Sequence, residues 1–297
     1  MADDVFTRDR SRLFSIAYRM LGSASDAEDV LQDGWLRYQR ADHATIRSPE
    51  AFATTIVTRL CLDRLKSTRA TREEYIGPWL PEPVLTAEIQ TPQVAVERAE
   101  SVTLAFLVLL ETLSAEERAV FLLKDVFEYD HADIARMLGV SADNSRQLLH
   151  RAKARLADRR PRLSGSAESR RAAAERFARA FATGDEAALT ALLAPDVGMW
   201  SDGGGKVTAA RRPLRGRDQV RTFLVGLHRT ALAAGLASDV SLWVEDVNSE
   251  PAVVIRVGSR IEAIFVMSIE EHAVTAIRAV RNPDKLARIQ RQLSKRH

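Results

Sequence analysis

The sequence predicts a multidomain chain: two all-α domains, the second a helix-turn-helix, followed by an α+β domain. Three observations carry this prediction. Residues 130–156 read as a helix, a glycine turn and a second, basic helix. Before about residue 160 the apolar residues recur at helical spacing, and beyond Ser164-Gly165-Ser166 strand-like runs take over. Between the two helical parts, residues 73–98 hold Pro78, Pro81, Pro83 and Pro92 and show no clear periodicity, as a linker would. The expected boundaries are 1–72, a linker at 73–98, 99–163, and 168–297.

Residues 5–72 read as helical. Phe6, Leu13, Phe14, Ala17 and Leu21 form one apolar face, and Gly22 ends that helix. Ser23 or Ser25 starts the next, lined by Ala27, Val30, Leu31, Trp35 and Tyr38. Ser48-Pro49-Glu50 opens a third helix with a serine cap and a proline in the first turn; it carries Phe52, Ile56, Leu60 and Leu65. Helices resume from about 99 to 160.

Within the helix-turn-helix, Ile134, Ala135, Leu138 and Val140 supply an apolar seam, and Gly139 sits where a left-handed cap is needed. Ser141 or Asn144 can cap the second helix. Leu148, Leu149, Ala152 and Leu156 mark its buried face. That leaves Asn144, Arg146, Gln147, His150, Arg151, Lys153 and Arg155 as candidate DNA contacts. Arg146 and Gln147, near the helix start, suit guanine and adenine edges. Arg151, Lys153 and Arg155 suit phosphates, which position without specifying. The alternative is a plain helical hairpin with a solvated basic face. Local charge weighs against it: seven basic residues from Arg146 to Arg162 face only Asp158.

In the C-terminal part, a helix over 172–183 and a short one to Leu193 precede strands at 197–201, 207–214, 240–247, 252–257, 263–269 and 273–280. A helix over 218–234 interrupts them, and the strands are expected to form a curved antiparallel sheet. Asp202-Gly203-Gly204-Gly205-Lys206 then joins two strands as a hairpin loop; a phosphate-binding loop would need a following helix. Trp79-Leu80-Pro81-Glu82-Pro83 is odd for a spacer because it carries an apolar pair. Trp79 and Leu80 are expected to dock near the glycine loop and near Asn282-Pro283-Asp284-Lys285-Leu286.

The chain has 297 residues, 46% of them hydrophobic and 28% charged, and a net charge of only +3. DNA contact must therefore rest on local patches. Cys61 is alone in an apolar setting, so no internal disulfide forms and it reads as a core filler. With no signal-peptide pattern and no long apolar run, the cytoplasm is the expected compartment. No cofactor or metal is expected. Asp202, His228 and Asp239 are the candidates for acid–base work, but no spacing joins them, and His228 reads as an exposed helix residue. No catalytic residue is assigned.

The first 160 residues resemble an extracytoplasmic-function (ECF) sigma factor. Asp26 to Arg37 is similar to that family's polymerase-docking helix. Ser48 to Lys66, with Leu60, Leu62, Asp63 and Leu65, is similar to its promoter-melting helix. The resemblance implies RNA polymerase core and promoter DNA as partners, with Asp26, Glu28, Asp29, Gln32 and Asp33 facing polymerase. Arg59, Arg64 and Lys66 would contact the DNA of the minus-10 element, and the helix-turn-helix would read minus-35. The sequence departs from the family where Phe52 and Arg59 stand in place of a frequent tryptophan and asparagine. The second half resembles a SnoaL-like, cone-shaped domain. The three motifs at 79–83, 202–206 and 282–286 mark a subgroup in which this extension regulates the sigma factor in place of a separate anti-sigma protein; a small ligand in the cone is a further implied partner. An ordinary helix-turn-helix regulator with a ligand sensor, and a SnoaL-like enzyme, are the alternatives.

Arg146→Ala is expected to weaken discrimination between promoter and non-promoter DNA by about 1–3 kcal/mol. Competitive binding assays measure this; an equal loss on all sequences would make Arg146 a phosphate contact.

Overall fold

A computed structural model describes residues 5–89, 100–156, 164–236 and 238–294. The chain divides into two compact units, Met1–Glu73 with Glu88–Pro161, and Glu74–Ala87 with Arg162–His297. Most of the proline-rich linker's described part thus belongs with the C-terminal unit. Arg159, Arg160 and Arg162 of the basic run lie outside the described residues.

The first unit is helical: α1 (Val5–Arg8), α2 (Arg10–Leu21), α3 (Ala24–Gln39), α4 (Pro49–Glu73), α5 (Leu104–Leu110), α6 (Ala115–Phe121), α7 (His131–Leu138) and α8 (Ala142–Leu156). The expected first helix is broken at Asp9 into α1 and α2. Local chemistry sets the ends. Gly22 takes a left-handed φ of 67° after α2, and the Ser23 hydroxyl caps α3 by accepting from Asp26 N. Ser114 and Glu117 form a reciprocal capping box at α6. α6 runs on into a single π-turn, Leu122–Val126.

Tyr18, Ile16, Met20, Leu104, Leu107 and Phe121 fill the core of this unit. Two arginines are buried with them. Arg118 donates to Met20 O at 2.7 Å and to Glu111 Oε1 at 2.8 Å, and Arg19 Nε donates to Ser101 Oγ at 3.0 Å. Cys61 is fully buried, and burial pushes its thiol pKa up, so it is an inert filler. Trp35 departs from expectation. Its helical spacing predicts a buried position on α3, yet it is 41% exposed, next to Leu36 at 39%. Gly34 takes the inward position instead, where a Cβ would lie 3.0 Å from the Phe6 ring.

The C-terminal unit holds α9 (Ala167–Thr183), α10 (Glu186–Leu192), α11 (Arg217–Ala233) and α12 (Pro283–Leu293) with six strands. These are β1 (Leu193–Asp202), β2 (Leu214–Arg215), β3 (Val240–Val247), β4 (Glu250–Val257), β5 (Arg260–Glu270) and β6 (Ala273–Val280), in the order β2-β1-β6-β5-β4-β3. The sheet is mixed, which corrects the antiparallel expectation: β1 runs parallel to β6. The other pairs are antiparallel. The expected strand over 207–214 is also corrected. Only Leu214–Arg215 pairs, and the glycine motif therefore ends a strand instead of joining two. Asn248 and Ser249, with φ of 52° and 62°, make the two-residue β3–β4 turn.

The core lies between the sheet and α9–α11, with Phe177, Phe181, Leu189, Val197, Leu224, Val253, Phe265 and Ile277 buried. Leu286, Ile289 and Leu293 of α12 are buried as well. Phe177→Ala is expected to destabilise this unit by about 3–5 kcal/mol, because it deletes a fully buried ring that stacks on Phe181. Urea unfolding followed by tryptophan fluorescence measures it; a loss under about 1 kcal/mol would mean the core collapses around the gap.

Candidate functional site

In the first unit, the helix-turn-helix is built by short-range rules. Gly139 closes α7 at φ 71°, and its amide region leads to Ser141, whose hydroxyl accepts from Asn144 N at 3.1 Å. Ser141 is therefore the cap, and Asn144 is half-buried beside it. His131 Nδ1 and Ser145 Oγ, 2.9 Å apart, tie the two helices at their starts. Burial, with Lys124 and Arg146 nearby, lowers the His131 pKa from its ordinary value. Ile134, Met137 and Leu148 pack with Val120 and Leu123 underneath. Met137, absent from the expected seam, is buried there, whereas Val140 is only half-buried.

Arg146, Gln147, His150, Arg151, Lys153 and Arg155 all lie on the exposed side of α8. Three of them have acidic partners within the unit. Arg146 pairs with Asp143 one turn back. Lys153 meets Asp125 at 3.0 Å, and Arg155 meets Glu117 at 3.1 Å. Only the Arg146–Asp143 pair is exposed on both sides, the kind that contributes little, whereas Asp125 and Glu117 are largely buried acceptors.

The three candidate DNA contacts of α4, Arg59, Arg64 and Lys66, are engaged too. Arg59 donates to Met137 O at 2.8 Å and to Arg136 O at 3.3 Å, at the carbonyl end of α7. Lys66 meets Glu116 at 3.0 Å. Arg64 binds Asp26, with Nε 3.0 Å from its carboxylate, and lies 3.3 Å from Asp29. The Asp26 contact holds the Arg64 pKa above its ordinary value. One residue expected to touch DNA thus neutralises one expected to touch polymerase. Glu28 pairs with Arg10. Asp29, Gln32 and Asp33 remain exposed on α3, beside Trp35 and Leu36.

The C-terminal unit brings the three linker, glycine-loop and tail motifs together around one carboxylate. Asp202, at the end of β1, is 0% exposed. Its Oδ1 accepts from Tyr75 Oη at 2.6 Å and from Gly204 N at 3.0 Å. Its Oδ2 accepts from Leu80 N at 2.8 Å and from Lys285 Nζ at 2.7 Å. Its backbone carbonyl accepts from Arg281 N at 2.8 Å and Asn282 N at 2.9 Å. The two carboxylate oxygens have about four acceptor positions, and all are used.

The partners hold one another. Lys285 Nζ also donates to Leu80 O at 2.5 Å and lies 4.4 Å from the Trp79 ring centre and 4.9 Å from that of Tyr75. Asn282 Nδ2 donates to Tyr75 Oη at 2.9 Å while its Oδ1 caps α12. Burial and the bond to Asp202 push the Tyr75 pKa up, which keeps it a neutral donor. Gly204 sits at φ 60°, and a Cβ there would lie 2.2 Å from Asn282 Nδ2. Pro283 fills the first turn of α12, Leu286 is buried, and Lys206 pairs with Asp284 at the rim. Gly203 and Gly205 leave room for Val207 O and Ile76.

Further along the linker, Pro81, Glu82, Pro83, Val84 and Leu85 are buried. Val84 N and O exchange bonds of 3.0 Å with the side chain and backbone of Asn248 at the β3–β4 turn. Tyr75, Asn248 and Arg281 escaped the sequence reading. Tyr75 stands in no motif, although an aromatic four residues before Trp79 was the available signal. The acid–base candidates do not meet: Asp202 is locked in this network, Asp239 is exposed, and His228 is half-buried against Gly184 on a cavity wall, not free on the surface as expected. Among the described residues no His, Cys, Asp and Glu cluster could hold a metal, and no helix is long and apolar enough to cross a membrane.

Comparison with known proteins places both units. Residues 5–71 match Sigma-70 region 2 and residues 103–156 match Sigma-70 region 4. The chain is 35% identical over 289 residues to the ECF RNA polymerase sigma factor SigJ of Mycobacterium tuberculosis, covering 93% of this chain and 90% of that one. It is 29% identical to the probable ECF sigma factor SigI of the same species, covering 96% and 94%. The crystal structure of Mycobacterium tuberculosis SigJ superposes with a TM-score of 0.73 at 34% identity, covering 95% of this chain and 97% of that one. An ordinary helix-turn-helix regulator would not need region 2, and an enzyme would need neither region. The chain belongs to the ECF RNA polymerase sigma factors, non-enzymatic subunits that direct promoter-specific transcription initiation, and it carries an α+β domain behind the two sigma regions.

Proposed function

We propose that this sigma factor is restrained by its own C-terminal unit, which grips the linker between the two sigma regions. The observation that carries the reading is the Asp202 network, in which Tyr75, Trp79 and Leu80 of the linker meet Lys285 and Asn282 of the tail. Residues 79–83, 202–206 and 282–286 are the regulatory set. A linker held at its centre limits how far the two DNA-reading regions can separate. The engagement of Arg59 and Lys66 within the helical unit supports an idle state, since both are proposed DNA contacts together with Arg64. When the linker is released, α4 contacts minus-10 DNA and Asn144, Arg146, Gln147, His150, Arg151, Lys153 and Arg155 contact minus-35. Asp26, Glu28, Asp29, Gln32 and Asp33 dock polymerase, with the exposed Trp35 and Leu36 adding an apolar patch to that face. A separate anti-sigma protein is not required, and the factor works in the cytoplasm. The cavity of the C-terminal unit takes a small ligand.

Runoff transcription with core polymerase, on a promoter the protein recognises, tests the restraint. The double variant Tyr75→Ala/Trp79→Ala removes clasp contacts from the linker side and substitutes no residue of the sheet. Transcript yield is expected to rise about tenfold, which corresponds to about 1.4 kcal/mol of lost restraint. Unchanged or reduced yield would contradict the reading.

A further inference from the structure

The C-terminal unit contains a cavity of about 600 Å³, open on one side and lined by α9, α11 and strands β3, β4 and β5. That volume lies within the range of about 300–1,000 Å³ used for small organic ligands. Its wall is mostly apolar: Phe181, Leu227, Ala231, Leu242, Ile255 and Phe265 among others. Ionisable groups enter it at three residues, His228, Glu262 and Arg281.

These groups are not equivalent. Glu262 pairs with Arg260 at 3.0 Å and also acts on Arg281. Arg281 is partly buried between β6 and α12, and burial lowers its pKa despite the pull of Glu262. Only its Nη1 has a described side-chain bond, to Thr208 O. A guanidinium presents five N–H donors in a planar fork. The rest of this fork is left at the rim of an apolar chamber, and the local charge of Arg260, Arg281 and Glu262 sums to positive.

We propose that this cavity binds an apolar monocarboxylic acid, its hydrocarbon body among the aliphatic and aromatic wall residues and its carboxylate on Arg281. Partial desolvation strengthens such a charge-assisted pair. The position of Arg281 gives the ligand a route to the linker. The same residue donates its backbone N–H to Asp202 O, and the next residue is Asn282. A carboxylate that draws the Arg281 side chain shifts the strand end on which the clasp is built. This consequence for regulation rests on the restraint proposed above, whereas binding itself does not.

Calorimetry on the full chain, with decanoate and 1-decanol as probes, tests the site. Decanoate is expected to bind about tenfold more tightly than the alcohol, as a charge-assisted hydrogen bond implies. Arg281→Gln should abolish that preference while the alcohol binds as before. Ala231→Trp, which fills the chamber, should weaken both probes. Absence of decanoate binding, or an acid preference that survives Arg281→Gln, would overturn the proposal. The titration reads the cavity alone, so its failure leaves the linker clasp standing. A linker variant without effect on transcription leaves the cavity standing.

Discussion

A fully buried carboxylate that must find every partner inside the protein governs the C-terminal unit. Removing an ion from water is expensive, and only good geometry with all hydrogen bonds made offsets it. Asp202 meets that condition, but not with residues of its own sheet. It draws on Gly204 beside it, Arg281, Asn282 and Lys285 from the tail, and Tyr75 and Leu80 from the linker. Without the linker, Oδ1 and Oδ2 would each lose a donor in a place water reaches poorly. The Lys285 ammonium would also lose Leu80 O and the Trp79 ring. The linker is thus part of the domain's polar bookkeeping as well as a connection between two helical regions.

Residues 74–87 count structurally with the C-terminal unit, while the chain on either side counts with the helical one. Any event that disturbs the Asp202 network changes what the linker is tied to. The Trp79–Lys285 contact and the Leu80 amide are local, yet the segment they hold lies in sequence between the two sigma regions. Within the helical unit, Arg59 on the carbonyls of α7 and Arg64 on Asp26 show the same economy. Groups proposed to meet nucleic acid or polymerase are thus bonded within the unit itself.

Much of this was legible in the sequence where the determining physics is local. Gly139, Ser141 and the Leu148–Ala152–Leu156 spacing specify the helix-turn-helix within two dozen residues. β3 and β6 have the limits expected from their strand-like runs. Non-local pairing was not legible. The parallel partnership of β1 with β6 joins segments some 80 residues apart, and no local pattern encodes it. The segment after the glycine loop has strand-forming residues but pairs only at Leu214–Arg215, because tertiary context overrides β-propensity. Trp35 fits the helical period of α3, but Gly34 meets Phe6 and turns the tryptophan outward. The three linker, loop and tail motifs were legible as a set. Tyr75, which supplies the shortest bond to Asp202, was not, because one aromatic four residues before Trp79 does not name the carboxylate it meets.

The central claim is that the linker is held by a buried polar network, and backbone hydrogen exchange over residues 79–85 reads it directly. The Leu80 amide bonds to Asp202 and the Val84 amide to Asn248. In the full-length protein these amides should exchange as slowly as those of β1, and Lys285→Met should release Leu80 first. Exchange at the rate of an open chain in the native protein would contradict the account.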